Sequence, residues 1–157
     1  MTKIFISGGP GSGKTTYAKK LSLKMGISHF DLDDIKWADG ENKFNHERPK
    51  EERLFLRDKI LSENNDWIIE GVYVKDWIIP ILEQADRIII LKPATWVRQY
   101  RIIKRSFKRI FHIEPNPYNE NLITLFRLLI WSQGYNKNIP EMMKKVKKVN
   151  KTAEIIK

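Results

Sequence analysis

The segment Gly8-Gly9-Pro10-Gly11-Ser12-Gly13-Lys14-Thr15 constrains this chain more than any other stretch. It matches the spacing G-x-x-x-x-G-K-[ST], follows the apolar run Lys3 to Ser7, and opens the helical pattern Lys14 to Met25. Strand, glycine-rich turn and helix in that order make a phosphate cradle. The glycines let successive N–H groups point inward, and the helix adds its positive N-terminal end. Gly9, Gly11, Ser12, Gly13, Lys14, Thr15 and Thr16 are therefore the expected nucleotide contacts. Lys14 would meet the β- and γ-phosphates, and the Thr15 hydroxyl would ligate Mg²⁺.

The rest of the chain alternates in a way that suits such a loop. Lys3 to Ser7, Ser28 to Asp31, Trp67 to Glu70, Arg87 to Leu91 and Ala153 to Lys157 read as strands. The middle ones are too apolar for a sheet with a solvated face. Lys14 to Met25, Pro49 to Asn64 and Ala94 to Phe111 read as helices, with further helical clusters at Leu122 to Trp131 and from Pro140 to Val149. The alternation predicts an α/β fold with a parallel sheet covered on both faces, whose ligands bind beyond the carboxyl ends of the strands. With 157 residues and no repeat or linker, one domain spanning 1–157 is expected. The absence of cysteine excludes a disulfide scaffold and a thiolate zinc site. No apolar run reaches the roughly 18 residues of a membrane span, and the opening apolar stretch is too short for a signal-peptide core. A cytoplasmic monomer or homodimer with no membrane partner is the expectation.

Acidic residues stand where that edge needs them. Asp31, Asp33 and Asp34 follow the second strand. Carboxylates beside a phosphate loop can hold metal-bound water or take a proton from an acceptor hydroxyl. Asp33, for the acceptor, is the first choice and Asp31, for the metal, the second, although helix-capping and turn-forming roles suit all three. Glu70 closes the third strand and is the candidate metal-site carboxylate. The fourth strand ends in Lys92, so no metal ligand comes from there.

Net charge is +10, and all of it lies in residues 81–157, since residues 1–80 balance. A basic half attracts polyanions, whether nucleotide phosphates, nucleic acid or acidic lipid. Ala94 to His112 holds Arg98, Arg101, Lys104, Arg105, Lys108 and Arg109 with no acid. Trp96, Tyr100, Ile103, Phe107 and Ile110 recur at helical spacing and are expected to bury one face. Arg98, Arg101, Arg105 and Arg109 form another stripe, which can close over a nucleotide and neutralise the charge of phosphoryl transfer. Arg101 and Arg105 are the expected catalytic pair. Leu122 to Trp131 is expected to pack as a core helix, Lys144, Lys145, Lys147 and Lys148 to form the outer face of a last helix, and His46 and His112 to lie at the surface.

With these residues in place, the chain resembles the adenylate kinase-related P-loop ATPases labelled DNA topology modulation proteins. The matching stretches are the phosphate loop, Leu32 to Trp37, Trp67 to Tyr73, Ala85 to Leu91 and Tyr100 to Arg105. The resemblance implies a nucleoside monophosphate kinase-like, three-layer α/β/α core with strand order 2-3-1-4-5. It also implies a shortened acceptor region, a small arginine-bearing lid at about 98–120, and ATP with Mg²⁺. The Asp31-Leu32-Asp33 spacing is similar to the acidic pair of shikimate kinase-type enzymes. Glu70 stands where the family usually has aspartate, Val72 replaces a common asparagine and Lys92 a common aspartate. The Gly-x-Pro-Arg stretch with which adenylate kinases hold their acceptor is absent, which argues against a nucleoside monophosphate. The expected function is transfer of the ATP γ-phosphate to a small hydroxyl- or phosphate-bearing acceptor, which residues in the irregular stretch from Trp37 to Pro49 and near Tyr73 would select. Alternatives are an ATP-dependent nucleic-acid-binding protein and a nucleotide-binding regulator with negligible turnover.

Overall fold

The computed structural model describes residues 1–38, 46–115 and 120–157. In chain order the elements are β1 (Lys3–Gly8), α1 (Lys14–Met25), β2 (His29–Asp31), α2 (Leu32–Lys36), α3 (Lys50–Glu63), β3 (Trp67–Gly71) and α4 (Ile79–Gln84). They continue with β4 (Arg87–Leu91), α5 (Thr95–Ile110), α6 (Leu122–Gly134), α7 (Ile139–Lys148) and β5 (Ala153–Ile156). The five strands form one sheet in the order β2-β3-β1-β4-β5, and every pairing is parallel.

Alternation along the strands divides the apolar material between two layers. Phe5, Trp67, Ile69, Ile88 and Ile90 point to one face, where Leu32, Ile35, Leu61, Ile81, Leu82, Met142 and Val146 cover them. Ile4, Ile6, Ile68, Ile89 and Leu91 point to the other, against Ala18 and its neighbours on α1. Each fully buried aliphatic side chain contributes about 2 kcal/mol, which fixes the register because a one-residue slip would reverse the faces. The register aligns Ile6 with Glu70 and Asp31 with Glu70 across β1, β3 and β2. Gly8 and Leu91 pair at the same edge. The loop and both acids thus share one edge of the sheet. No helix among the described residues is long and apolar enough to cross a membrane.

Two short helices, α2 and α4, fall where no helix was expected, because five and six residues carry too little periodicity to be read. Pro140 lies inside the first turn of α7, where its missing N–H costs no intrahelical bond.

The larger correction concerns α5 and α6. The expected buried stripe of α5 faces out: Trp96 is 72% exposed, Tyr100 60% and Phe107 46%, while Arg98, Ile102 and Ser106 are buried instead. Arg98 can go inside because Thr95 Oγ1, the Ser132 carbonyl and Asn136 Oδ1 accept its N–H groups at 3.2, 2.7 and 3.0 Å. It therefore leaves the arginine stripe. The expected core helix α6 is likewise reversed, burying Leu125 and Ser132 and exposing Leu122, Ile123, Phe126, Ile130 and Trp131. Its N-terminus is set by Asn121, whose side chain accepts from the N–H groups of Ile123 and Thr124.

Candidate functional site

The loop between β1 and α1 depends on missing side chains. Gly11 (φ +73) and Gly13 (φ +89) occupy the left-handed region that favours glycine. A Cβ on Gly11 would stand 2.4 Å from the Arg98 carbonyl oxygen, so a bare residue lets the loop seat against the α5 backbone. No side chain caps α1, which leaves its first-turn N–H groups to a ligand.

Beneath the loop lies a buried ionic cluster. Lys14 Nζ stands 3.2 Å from Glu70 Oε2, and His29 Nε2 stands 3.7 Å from Glu70 Oε1. Glu70 is wholly buried, yet neither of its oxygens makes a well-aligned hydrogen bond. Burial opposes its ionisation, but His29, Lys14 and Thr15 outweigh that and hold the carboxyl below its usual range. Burial also works against the Lys14 ammonium, and Glu70, Asp31 and Asp33 outweigh it to raise its pKa. Asp31 is the opposite case. Burial, then the charges of Glu70 and Asp33, push its carboxyl up to about 7. Its Oδ1 also accepts the Asp33 N–H at 2.9 Å, capping α2.

Among the described residues no group of three or more His, Cys, Asp or Glu is arranged for a metal ion. A Mg²⁺ ion that shares nucleotide phosphates requires only one or two carboxylates and otherwise keeps its water. The under-bonded Glu70 oxygens, the Thr15 hydroxyl and Asp31 form a hard oxygen set that fits it.

Asp33 is held from the other side by Tyr73, whose hydroxyl donates to Asp33 Oδ1 and accepts Trp37 Nε1–H at 3.2 Å. Burial and the Asp33 charge raise the phenol pKa, so Tyr73 stays a donor. Lys36 Nζ sits 4.5 Å from the Trp37 ring centre and 4.9 Å from that of Tyr73. Burial, offset in part by Glu47, lowers the Lys36 pKa. Tyr73 lay in the stretch expected to select the acceptor. Its bond to Asp33 has no sequence signal, because 40 residues separate the partners. Much of the other expected acceptor stretch, 39–45, lies outside the described residues.

The expected arginine pair divides. Arg101 Nη1 donates to the Ser12 carbonyl at 3.0 Å and, with Gly13, Thr16, Tyr17, Lys20, Pro93 and Ile156, borders a cavity of about 420 Å³. Arg105 lies away from the loop, with Nη2 3.8 Å from Glu120 Oε1. Glu120 also pairs with Arg109 and accepts the Ser106 hydroxyl at 2.6 Å. An acid after the helix thus neutralises a stripe that looked acid-free. Residues 116–119 of the expected lid lie outside the described residues.

No protein-family model matches the chain. It is 32% identical over 106 residues to the uncharacterised protein YqaC of Bacillus subtilis, covering 68% of this chain and 57% of YqaC. It is 26% identical over 110 residues to a cytidylate kinase of Aeropyrum pernix, covering 64% and 63% of the two chains. The chain thus spans less than two thirds of either curated relative. Among solved structures, a shikimate kinase from Acinetobacter baumannii in complex with shikimate superposes with a TM-score of 0.54 at 18% identity, over 100% of this chain and 84% of that one. A shikimate kinase from Bacteroides thetaiotaomicron gives 0.50 at 21%, over 91% and 82%. None of the four carries the DNA topology description. Strand order and superposition together give this chain the P-loop kinase-type fold of the shikimate kinases.

Proposed function

We propose that the chain is a Mg²⁺-ATP-dependent phosphotransferase acting on a small hydroxyl- or phosphate-bearing acceptor. The observation that carries this reading is Glu70: a fully buried, under-bonded carboxylate paired with Lys14 directly beneath an open phosphate loop. A merely structural turn has no use for a buried ion pair whose carboxylate keeps acceptor capacity to spare. The kinase-type fold and the distant likeness to a cytidylate kinase support the same class.

On this reading the nucleotide lies with its phosphates on Gly9 to Thr16, and the cavity beside Arg101 takes the nucleoside end. Lys14 and Arg101 stabilise the transferring phosphoryl group, and Arg105 joins them only if it leaves Glu120. Thr15, Glu70 and Asp31 hold Mg²⁺ directly or through water; the ion would neutralise phosphate charge. Asp33, oriented by Tyr73, takes the proton of an acceptor hydroxyl while its oxygen bonds the γ-phosphorus and the bond to the β–γ bridging oxygen breaks, releasing ADP. One domain with a lid at about 98–120 belongs to the proposal. The nucleic-acid alternative draws on the same basic half. It is weakened because Arg98, Arg101 and Arg109 make their contacts inside the protein.

A metabolite pool incubated with γ-labelled ATP and the full chain tests this. A labelled product that depends on Mg²⁺ and is lost in Asp33→Asn, with ATP affinity kept, supports it. ATP binding with no acceptor-dependent labelling would leave the regulator reading in its place.

A further inference from the structure

The reversed helices α5 and α6 leave an apolar surface that the phosphotransferase reading does not use. Trp96, Tyr100 and Phe107 recur along the outer side of α5, and Ile123, Phe126 and Ile130 along that of α6. The two helices pack against each other. Soluble monomers rarely leave this many large apolar side chains on neighbouring helices uncovered. We propose that these outward stripes form a peripheral docking surface for an anionic lipid bilayer.

Charge selects that occupant. Beyond Arg98, Arg101 and Arg109, whose contacts lie inside the protein, residues 94–135 hold Lys104, Arg105, Lys108 and Arg127 against two Asp+Glu. One of those acids, Glu120, is buried, and the other, Glu114, pairs with Lys108. Aromatic and aliphatic side chains on one side of a helix, flanked by cations and not by acids, describe an interfacial helix. It lies in the headgroup plane, with Trp and Tyr at the polar boundary. A second copy of this chain would bring two basic surfaces together. A nucleic acid would satisfy the cations and leave Ile123 and Ile130 in water. An anionic bilayer takes both. The expected lack of a membrane partner rested on the absence of a spanning segment, which does not bear on a surface contact.

The test uses the full chain with sedimenting vesicles of phosphatidylcholine alone or with about 30% phosphatidylserine. The expected result is partitioning at least tenfold stronger to the serine-containing vesicles, with a blue shift of tryptophan emission from Trp96 and Trp131 and loss on added salt. Phe107→Ser with Phe126→Ser should cut partitioning at least tenfold while thermal unfolding stays unchanged, since both rings are exposed. Lys104→Glu, also exposed, should cut it about fivefold or more. Equal binding to both vesicle types, or to neither, overturns the proposal. So does dimerisation that the phenylalanine pair abolishes, which would make a second copy the occupant. Duplex DNA retained in place of vesicles would do the same for nucleic acid.

Discussion

The sheet edge that holds the phosphate loop and the helix pair α5–α6 handle charge and apolar surface in opposite ways. At the edge, charge is buried, with Lys14, Glu70, His29 and Asp31 gathered under a glycine loop. In α5 and α6 a charged residue, Arg98, is taken inside, and rings are turned out to solvent. The edge is fixed by local backbone chemistry, because a chain that wraps a phosphate needs glycine at positive φ and a lysine at the head of the helix. The helix pair is fixed by what lies behind it. Which stripe of α5 goes inside depends on whether Arg98 finds three acceptors, two of which lie beyond α5 at Ser132 and Asn136.

Two substitutions sharpen the contrast most. Lys14→Ala should lower phosphoryl transfer by about 10³-fold, roughly 4 kcal/mol of barrier, because it removes the cation that meets the transferring group. Single-turnover transfer from labelled ATP would measure it. Unchanged transfer in a folded variant would break the enzyme reading. Arg98→Met should act on stability instead, by about 3 kcal/mol in urea unfolding, because the Ser132 carbonyl and Asn136 lose a charged donor deep in the protein. Arg105→Met, at a side chain 41% exposed, should cost under about 1 kcal/mol. Equal losses at 98 and 105 would restore a single arginine stripe.

The sequence made the edge legible and left the helices ambiguous for the same physical reason. The strand ends, the loop and Glu70 announce themselves within a few residues, since apolar runs and glycine conformation are local. The inward stripe of α5 does not. Its two faces are amphipathic in competing senses, and apolar periodicity picks the ring-bearing face when tertiary hydrogen bonds pick the other. Glu120 was invisible as a partner of Arg105 and Arg109 because it enters from the following segment. Tyr73 was placed near the acceptor, but nothing in the sequence ties it to Asp33.

The two regions meet at Gly11, so a substitution there tests whether they are built as one unit. Gly11→Ala must hold alanine at φ +73 and set its Cβ 2.4 Å from the Arg98 carbonyl oxygen, where only backbone can give way. The expected cost is about 2 kcal/mol of stability. Transfer should fall with it, because moving α5 also moves Arg101 off the Ser12 carbonyl. A variant of full stability and full activity would mean that the loop and α5 are not coupled.

A pH slope belongs to the edge alone. The Asp31 carboxyl sits at about 7 in the folded chain against an ordinary value of 3.8, so the folded state binds its proton more tightly than the unfolded one. Stability must then fall as pH rises from about 4 to about 7, and the loss is complete above that. Asp31→Asn removes the charge and keeps an oxygen that can accept the Asp33 N–H and cap α2. In nucleotide-free protein the variant should equal the wild type near pH 4 and exceed it by at most about 4 kcal/mol at pH 8. Urea unfolding of the pair across that range gives the difference directly, and titrations common to both proteins largely cancel in it. Saturating Mg²⁺ with ATP should shrink the difference, because the liganded site wants Asp31 charged. A difference of the opposite sign, with the wild type gaining stability over the variant as pH rises, would mean that Asp31 is stabilised as a carboxylate by Lys14 even in the nucleotide-free chain.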